Sequence, residues 1–249
     1  MIFPKAKKSL GQNFLTSTSI VEKIVKNSGV KNNDEVIEIG PGRGILTEVL
    51  SSSAKKVTAL ELDNQLVPFL KGKFENSNVE IIHTDALEFT PIQKNYKVVA
   101  NIPYYITSPL ITHFLTLENP PSTMTLMVQK EVAYKLCAQT PALPKERHSI
   151  LSLQVQLYAK PKILFHVSKG SFTPMPNVDS AVIHLELIPK NEQPKNPKKI
   201  LQLAKIAFSQ KRKKLSNTLK EILPKLKELN LQDLRPEHLS IKDWEKLAE

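Results

Sequence analysis

Short apolar runs rich in Val and Ile alternate along the chain with stretches that have the apolar spacing of helices. Runs of this length, bounded by Gly, Pro, Asn, Asp or Ser, are typical of β-strands. Strands that alternate with helices form α/β sheets. The pattern predicts seven strands, near residues 35–39, 57–61, 79–83, 97–101, 123–128, 162–167 and 180–187.

The C-terminal part of the chain departs from this alternation. Only residues 168–179 separate the last two predicted strands, which is too short for a crossover helix, so these strands should pair antiparallel at the edge of the sheet. A polar, proline-rich linker follows at residues 189–197. Beyond the linker the pattern predicts short helices at 200–208, 215–229 and 241–247. We therefore expect one domain over residues 1–188 and a small helical domain over residues 189–249.

A glycine-rich loop follows the first predicted strand. Three of the seven glycines of the chain lie in this one strand-to-helix turn, at Gly40, Gly42 and Gly44. Glycine tolerates positive φ and has no Cβ, so a ligand can lie against the main chain there. A dinucleotide fingerprint would need its third glycine at position 45, where the chain has Ile45. The spacing therefore excludes that fingerprint.

Acidic residues stand at the ends of the next two strands. Glu61 ends the second strand, where acids of nucleotide-binding sheets accept both hydroxyls of a ribose. Asp85 follows the third strand and is placed to accept the amino group of an adenine. Either acid alone is more often a solvated loop residue or a helix cap. Together with the glycine loop, the two acids predict an adenosine ligand without pyrophosphate.

The fourth strand ends in residues suited to hold a flat base. Asn101 offers an acceptor oxygen to an exocyclic amine, Pro103 fixes the backbone so that neighbouring carbonyls can point the same way, and Tyr104 offers a stacking face. An ordinary Asn-x-Pro turn explains this tetrapeptide about as well on its own. With the acids beside it, the segment predicts a site for an amino group on a base.

These segments resemble those of a known family. The strand-end motifs are similar to those of S-adenosylmethionine-dependent methyltransferases that act on adenine N6. In this chain the motifs are residues 38–44, Glu61, Asp85 and residues 101–104. Residues 9–15 and 170–181 narrow the resemblance to the ribosomal RNA adenine dimethyltransferases. The resemblance spans about residues 7–220.

The resemblance implies a fold, a cofactor and a substrate. Residues 1–188 would form the cofactor-binding catalytic domain, a seven-strand Rossmann-like α/β fold of S-adenosylmethionine-dependent methyltransferases, and residues 189–249 a small basic helical RNA-binding domain. The cofactor would be S-adenosyl-L-methionine. Within the family, the chain is most similar to bacterial enzymes that dimethylate N6 of two adjacent adenines near the 3′ end of 16S rRNA in the 30S subunit.

The resemblance also implies roles for individual residues. Those at the target base would be Asn101, Pro103, Tyr104 and Phe172, with the rings of Tyr104 and Phe172 on opposite faces of a flipped adenine. Those at the cofactor would be Asn13, Leu15, Gly40, Glu61, Asp85 and Asn101. Gln12 would contact the cofactor or order its own segment.

Other functions stay open at this point. The macrolide-resistance enzymes that modify 23S RNA usually have Gly-Ser-Gly where this chain has Pro41 between two glycines. A non-catalytic ribosome assembly factor should have lost its cofactor residues, and a DNA adenine methyltransferase should have an Asp-Pro-Pro-Tyr-type motif.

The chain departs from the family pattern at residues 147–152, which lack the Tyr-Gly pair that family members usually have. Residues 141–147 before them form a short linker.

The charge distribution favours a polyanionic partner. The net charge is +11, and residues 190–225 contain eleven Lys or Arg against two acids. Clustered cations displace condensed counterions from phosphates, which favours RNA binding. An isolated basic run such as 211–214 is more commonly a solvated surface, so this observation is decisive only beside a base-binding site.

The remaining composition favours a protein of the reducing cytoplasm. Cys137 is the only cysteine, so no intrachain disulfide can form. The chain has no stretch of about 18 apolar residues and no apolar N-terminal segment of signal-peptide length, and its six histidines lack metal-ligand spacing. We expect a cytoplasmic monomer with no metal ion and no membrane partner.

Overall fold

The computed structural model describes residues 5–138 and 149–249, and the chain divides into two compact units. The first comprises Met1–Ala133 and Lys162–Leu187, and the second comprises Tyr134–Pro161 and Ile188–Glu249. The predicted linker at 141–147 and the first two residues of the unusual segment 147–152 lie outside the described residues.

The described residues form the following strands and α-helices. The strands are β1 (Phe14–Leu15), β2 (Glu35–Ile39), β3 (Lys56–Glu61), β4 (Val79–His83), β5 (Lys97–Asn101), β6 (Thr123–Gln129), β7 (Ala159–Val167), β8 (Phe172–Thr173) and β9 (Ser180–Leu187). The helices are α1 (Thr18–Ser28), α2 (Ile45–Ser51), α3 (Leu66–Lys73), α4 (Thr107–Thr116), α5 (Lys130–Leu136), α6 (Ile150–Tyr158), α7 (Pro197–Ser209), α8 (Leu215–Thr218), α9 (Leu223–Glu228) and α10 (Ile241–Ala248).

Seven of the strands form one sheet in the order β4-β3-β2-β5-β6-β9-β7. The strands from β4 to β6 pair in parallel, and β9 pairs antiparallel with β6. β7 and β9 are neighbours, with β7 at the edge. The predicted α/β fold with a seven-strand sheet is confirmed.

The sequence showed these strands clearly because the inner parallel strands, β2, β3, β5 and β6, are mostly buried on both faces. In β2 the four residues after Glu35 are all buried, and in β3 only Lys56 is exposed. Strands covered on both faces have nearly continuous apolar sequences. The apolar side chains of β2 and β3 pack with α1 and α2 in one core that includes Ile24, Val36 and Leu50.

A second, two-strand sheet was not predicted. β1 and β8 pair antiparallel, with Phe14 opposite Thr173 and Leu15 opposite Phe172. Two residues are too few to show the alternation of polar and apolar positions that identifies a strand. This pairing joins residues 159 apart in the sequence, Phe14 and Thr173.

The second unit is helical but is not the contiguous domain that the sequence predicted. Residues of α6 pack in its core with later helices: Leu153 and Leu157 share a buried cluster with Ile200, Leu226 and Trp244. The expected boundary at 188/189 agrees with the end of the first unit at Leu187, but Tyr134–Pro161 belong to the second unit. The prediction missed this because it assigned a domain by the linker alone.

No helix within residues 5–138 and 149–249 is long and apolar enough to cross a membrane.

Candidate active site

A cavity of about 220 Å³ lies in the first unit, where the parallel strands end. In the strand order, β3 and β4 lie on one side of β2, and β5 and β6 lie on its other side. Ligands of open α/β sheets bind at this switch point, beyond the carboxyl ends of the strands. The lining includes eight of the residues selected from sequence: Asn13, Leu15, Gly40, Glu61, Asp85, Asn101, Pro103 and Tyr104.

The glycine loop forms one wall of the cavity. Gly40 and Gly42 have φ of 65° and 58°, in the left-handed region that glycine occupies without strain. A Cβ on Gly42 would lie 2.9 Å from Cδ1 of Phe14, closer than packed atoms come. The absence of a side chain at Gly42 therefore lets the Phe14 ring pack directly against the loop. The close approach of a ligand to the main chain here stays a prediction.

Glu61 is held at the end of β3 by backbone hydrogen bonds. Its Oε2 accepts from the Gly42 N–H at 3.2 Å, and its Oε1 accepts from the Asp63 N–H at 2.8 Å. Burial raises the pKa of Glu61 above its ordinary value, and these hydrogen bonds partly oppose the shift. Each carboxylate oxygen has further lone pairs, so both are suited to accept hydroxyl groups.

Asp85 is positioned by the turn that follows β4. Its Oδ1 accepts a hydrogen bond from the Leu87 N–H at 2.9 Å, which fixes the carboxylate at the cavity wall. This is an Asx-type turn, in which an Asp side chain bonds its own backbone two residues on. The structural role and a ligand role are compatible, because a carboxylate accepts several hydrogen bonds.

Asn101 ends β5 and faces the N-terminal segment. Its Nδ2 donates to the main-chain oxygen of Asn13 at 3.3 Å, and both residues line the cavity. Because the amide nitrogen has this partner, the Oδ1 atom is the part of the side chain left to accept a hydrogen bond from a ligand.

Tyr104 lies three residues after Asn101, and its hydroxyl forms a 2.7 Å hydrogen bond with Oγ of Ser180. That bond fixes the Tyr104 ring in the wall.

Phe172 packs next to the cavity wall. Its ring is 4 % exposed, in a core cluster with Leu15 and Val182. The pairing of β8 with β1 places Phe172 opposite Leu15, which lines the cavity, whereas Phe172 is not part of the lining formed by the described residues. Its role at the target base stays a prediction.

Glu38 lines the cavity but was not selected from the sequence as a site residue. It is 1 % exposed, and among the described residues its Oε2 has no hydrogen-bond partner. Burial raises the pKa of Glu38 to about 8, and the nearby Glu61 adds to the shift while Thr47 and Lys73 oppose it. The signal was present in the sequence, because an acid inside an apolar strand is almost never fully buried unless it has a partner.

Comparison with solved structures identifies the class. The structure matches a dimethyladenosine transferase from Plasmodium falciparum with a TM-score of 0.83 and 28% identity over 94% of this chain and 95% of that one. It also has the fold of the 23S rRNA methyltransferase ErmE, with a TM-score of 0.77 and 23% identity over 95% and 98% of the two chains. The fold is that of the rRNA adenine methyltransferases.

Sequence comparison then gives the family. The family model for ribosomal RNA adenine dimethylase matches residues 3–244. The chain is 39% identical to the ribosomal RNA small subunit methyltransferase A of Latilactobacillus sakei, over 98% of this chain and 89% of that protein. The chain belongs to the ribosomal RNA adenine dimethylase family and is an enzyme of that class, as the motifs predicted.

Proposed function

We propose that this enzyme transfers methyl groups from S-adenosyl-L-methionine to N6 of two adjacent adenines near the 3′ end of 16S rRNA, in the 30S subunit, giving N6,N6-dimethyladenosines. The small-subunit assignment is supported by the name of the Latilactobacillus sakei relative. We place the reaction in the cytoplasm, where ribosomal subunits mature, and propose that the enzyme acts as a monomer.

The cavity residues fit the proposed cofactor. Glu61 has two fixed carboxylate oxygens for the ribose, and Asp85 has a fixed carboxylate for the adenine amine. Gly40, Asn13 and Leu15 line the same cavity and would surround the methionine portion. When bound, S-adenosyl-L-methionine supplies a methyl group already activated on a sulfonium sulfur. The protein therefore needs to orient the target and exclude water rather than to provide a strong base.

The orientation of the Asn101 amide is the observation that best supports adenine N6 as the target. With its Nδ2 bonded to Asn13, the side chain presents Oδ1 as an acceptor. An acceptor here would take a hydrogen bond from the N6 amine, together with the carbonyl of Ile102 or Pro103. Such bonds favour a tetrahedral nitrogen whose lone pair is withdrawn from the ring and can attack. The nitrogen that gains a methyl group is cationic, and it loses its proton to water.

Tyr104 and the basic segment would hold the RNA. The ring of Tyr104, fixed by Ser180, would stack on one face of the flipped base. The four cations at 211–214 are all exposed and would contact phosphates.

Methyl transfer to two RNA substrates tests this proposal. Labelled S-adenosylmethionine would be incubated with undermethylated 30S subunits and, separately, with naked 23S rRNA, and the digested nucleosides would be identified by mass spectrometry. We expect N6,N6-dimethyladenosine from the 30S subunits. Product from 23S rRNA alone would instead assign the resistance-type activity.

Two variants separate the proposed roles in that assay. Asn101→Ala should abolish transfer and leave cofactor affinity within a few-fold, whereas Glu61→Ala should weaken cofactor binding. Equal loss of binding and transfer in Asn101→Ala would make Asn101 chiefly a cofactor ligand. Unchanged affinity in Glu61→Ala would remove the ribose assignment.

A further inference from the structure

The segment before β1 covers part of the cavity without being part of the core. We call residues 7–13 the N-terminal strap. Leu10, Gly11, Gln12 and Asn13 line the cavity. Of the described residues that precede Phe14, none is buried, so apolar packing does little to hold the strap in place. Its position must depend on polar contacts.

A single carboxylate contacts both ends of the strap. Oδ1 of Asp63 accepts from Nζ of Lys7 at 2.6 Å, and Oδ2 accepts from Nε2 of Gln12 at 2.9 Å. The strap is closed on itself by a 2.7 Å hydrogen bond from the Lys7 N–H to Oε1 of Gln12. Lys7, Gln12 and Asp63 therefore form one connected network across residues 56 apart in the sequence.

Asp63 is a rigid anchor for this network. It is 2 % exposed, and its Oδ1 also accepts from the Gln65 N–H at 3.0 Å. Burial would raise the pKa of Asp63, but the hydrogen bonds from Lys7, Gln65 and Gln12 outweigh it and lower the pKa, so the carboxylate stays charged. The Asp63 N–H donates to Oε1 of Glu61 at 2.8 Å. The anchor of the strap and the acid assigned to the ribose are thus directly connected.

The cavity side of the strap has contacts of a different kind. Asn13 accepts from Asn101 through its main-chain oxygen. Gly11 has φ of 59°, and a Cβ there would lie 3.1 Å from Cδ1 of Tyr105. These contacts position the strap against the residues of the proposed base site, but neither involves a charge. Among the described residues, the Lys7–Asp63 pair is the one ion pair that the strap forms.

We propose that Asp63 is a positioning residue that fastens the N-terminal strap over the cofactor cavity, and that opening of the Lys7–Asp63 ion pair sets the rate at which cofactor enters and leaves. The proposal rests on the proposed function, since it takes the cavity to be the cofactor site. Asp63 contacts no reacting atom in this account. Its effect should therefore appear in cofactor exchange and not in the chemical step.

Lys7→Met tests the strap without removing a buried group, because the Lys7 side chain is 31% exposed and Met keeps its length. The matched control is Lys56→Met, which breaks the 2.7 Å pair with Glu80 at the opposite end of β3 from the cavity. Dissociation of S-adenosylhomocysteine would be followed by stopped-flow fluorescence, and kcat and the KM for S-adenosylmethionine by methyl transfer to 30S subunits.

Lys7→Met should raise the dissociation rate and the cofactor KM about tenfold, the order expected for losing one charge-assisted hydrogen bond with a partly exposed donor. The kcat at saturating cofactor should stay within about twofold, because no reacting group is lost. Lys7→Arg should restore both values, and Lys56→Met should change neither. Added salt should have only a small effect on dissociation in the wild type, because Asp63 is 2 % exposed and a partly buried ion pair is screened much less than an exposed one.

Two outcomes would overturn the proposal that the strap controls cofactor exchange. An unchanged dissociation rate in Lys7→Met would show that the ion pair does not control exchange, and a fall in kcat at unchanged KM would place Lys7 in the chemical step. Failure of the proposed function looks different. In that case the wild type would bind no S-adenosylhomocysteine, or Glu61→Ala would bind it as tightly as the wild type.

Discussion

Glu38 should make the stability of the protein fall as the pH rises through neutrality. The carboxyl group is 1 % exposed within β2, and burial raises its pKa from 4.5 to about 8. The folded protein therefore binds a proton at Glu38 that the unfolded chain releases above about pH 4.5. Between these two pKa values, folding requires proton uptake, and the free energy of unfolding decreases as the pH increases.

The size of the effect follows from the two pKa values. Each pH unit between them corresponds to about 1.36 kcal/mol at 25 °C. From pH 4.5 to pH 7 the loss amounts to roughly 3 kcal/mol and by pH 8 to roughly 4 kcal/mol, and it levels off above pH 8. This is a large fraction of the total stability of an ordinary domain.

Glu38→Gln removes the titration while keeping the shape of the protonated side chain. The free energy of unfolding of the variant, relative to that of the wild type, should rise by roughly 3 kcal/mol between pH 4.5 and pH 7. A buried amide can shift this difference by a constant amount, because its second N–H needs a partner, but it cannot produce a pH dependence.

Urea unfolding at closely spaced pH values from 4.5 to 8.5 measures this difference directly. Glu75→Gln, at an exposed position of the same unit, is the control and should follow the wild type at every pH. If the stability difference between Glu38→Gln and the wild type stays constant over this range, Glu38 is ionised in the folded protein and the reasoning from burial is wrong.

Two further predictions concern RNA methylation. Ser180→Ala removes the partner of the Tyr104 hydroxyl and should lower kcat/KM for 30S subunits about tenfold in steady-state kinetics, with the cofactor KM unchanged. Tyr104→Phe should lower kcat/KM by the same factor. If the losses add in the double variant, the two side chains do not act through a shared hydrogen bond. Replacing all four cations of 211–214 with Gln should lower RNA affinity and flatten the slope of log K against log salt by up to about three units, measured by filter binding. An unaltered slope would mean that residues 211–214 form a solvated surface that does not contact RNA.

The sequence predicted the main sheet and most of the cavity for one physical reason. The inner parallel strands are buried on both faces and have nearly continuous apolar sequences, and the residues that follow parallel strands must meet at one edge. Gly40, Glu61, Asp85 and Asn101 are each the last residue of a strand or lie just after one, and all four line the cavity.

What the sequence could not show depends on contacts between distant segments. The pairing of β1 with β8 has no local pattern, yet it places Phe172 opposite Leu15 and buries its ring. The contact of Lys7 with Asp63 likewise joins residues with no shared motif. Tyr134–Pro161 joins the helical unit because Leu153 and Leu157 fit its core, which a linker position alone does not reveal.

The acids near the end of β3 and in β2 have different protonation behaviour because their partners differ. Asp63 accepts hydrogen bonds from a cation and several N–H donors, and its pKa is lowered. Glu61 has two backbone donors, and its pKa is raised. Glu38 has a buried oxygen without a partner among the described residues, and its pKa is about 8. A buried carboxyl oxygen without a partner costs free energy unless a ligand satisfies it. The side chain lines the cavity, so its missing partner is best supplied there by a cationic or hydrogen-bond-donating ligand, and the sulfonium and ammonium groups of the proposed cofactor are of that kind. The stability that Glu38 removes at neutral pH must be offset elsewhere in the fold, and we expect the apolar core around β2 to supply that offset.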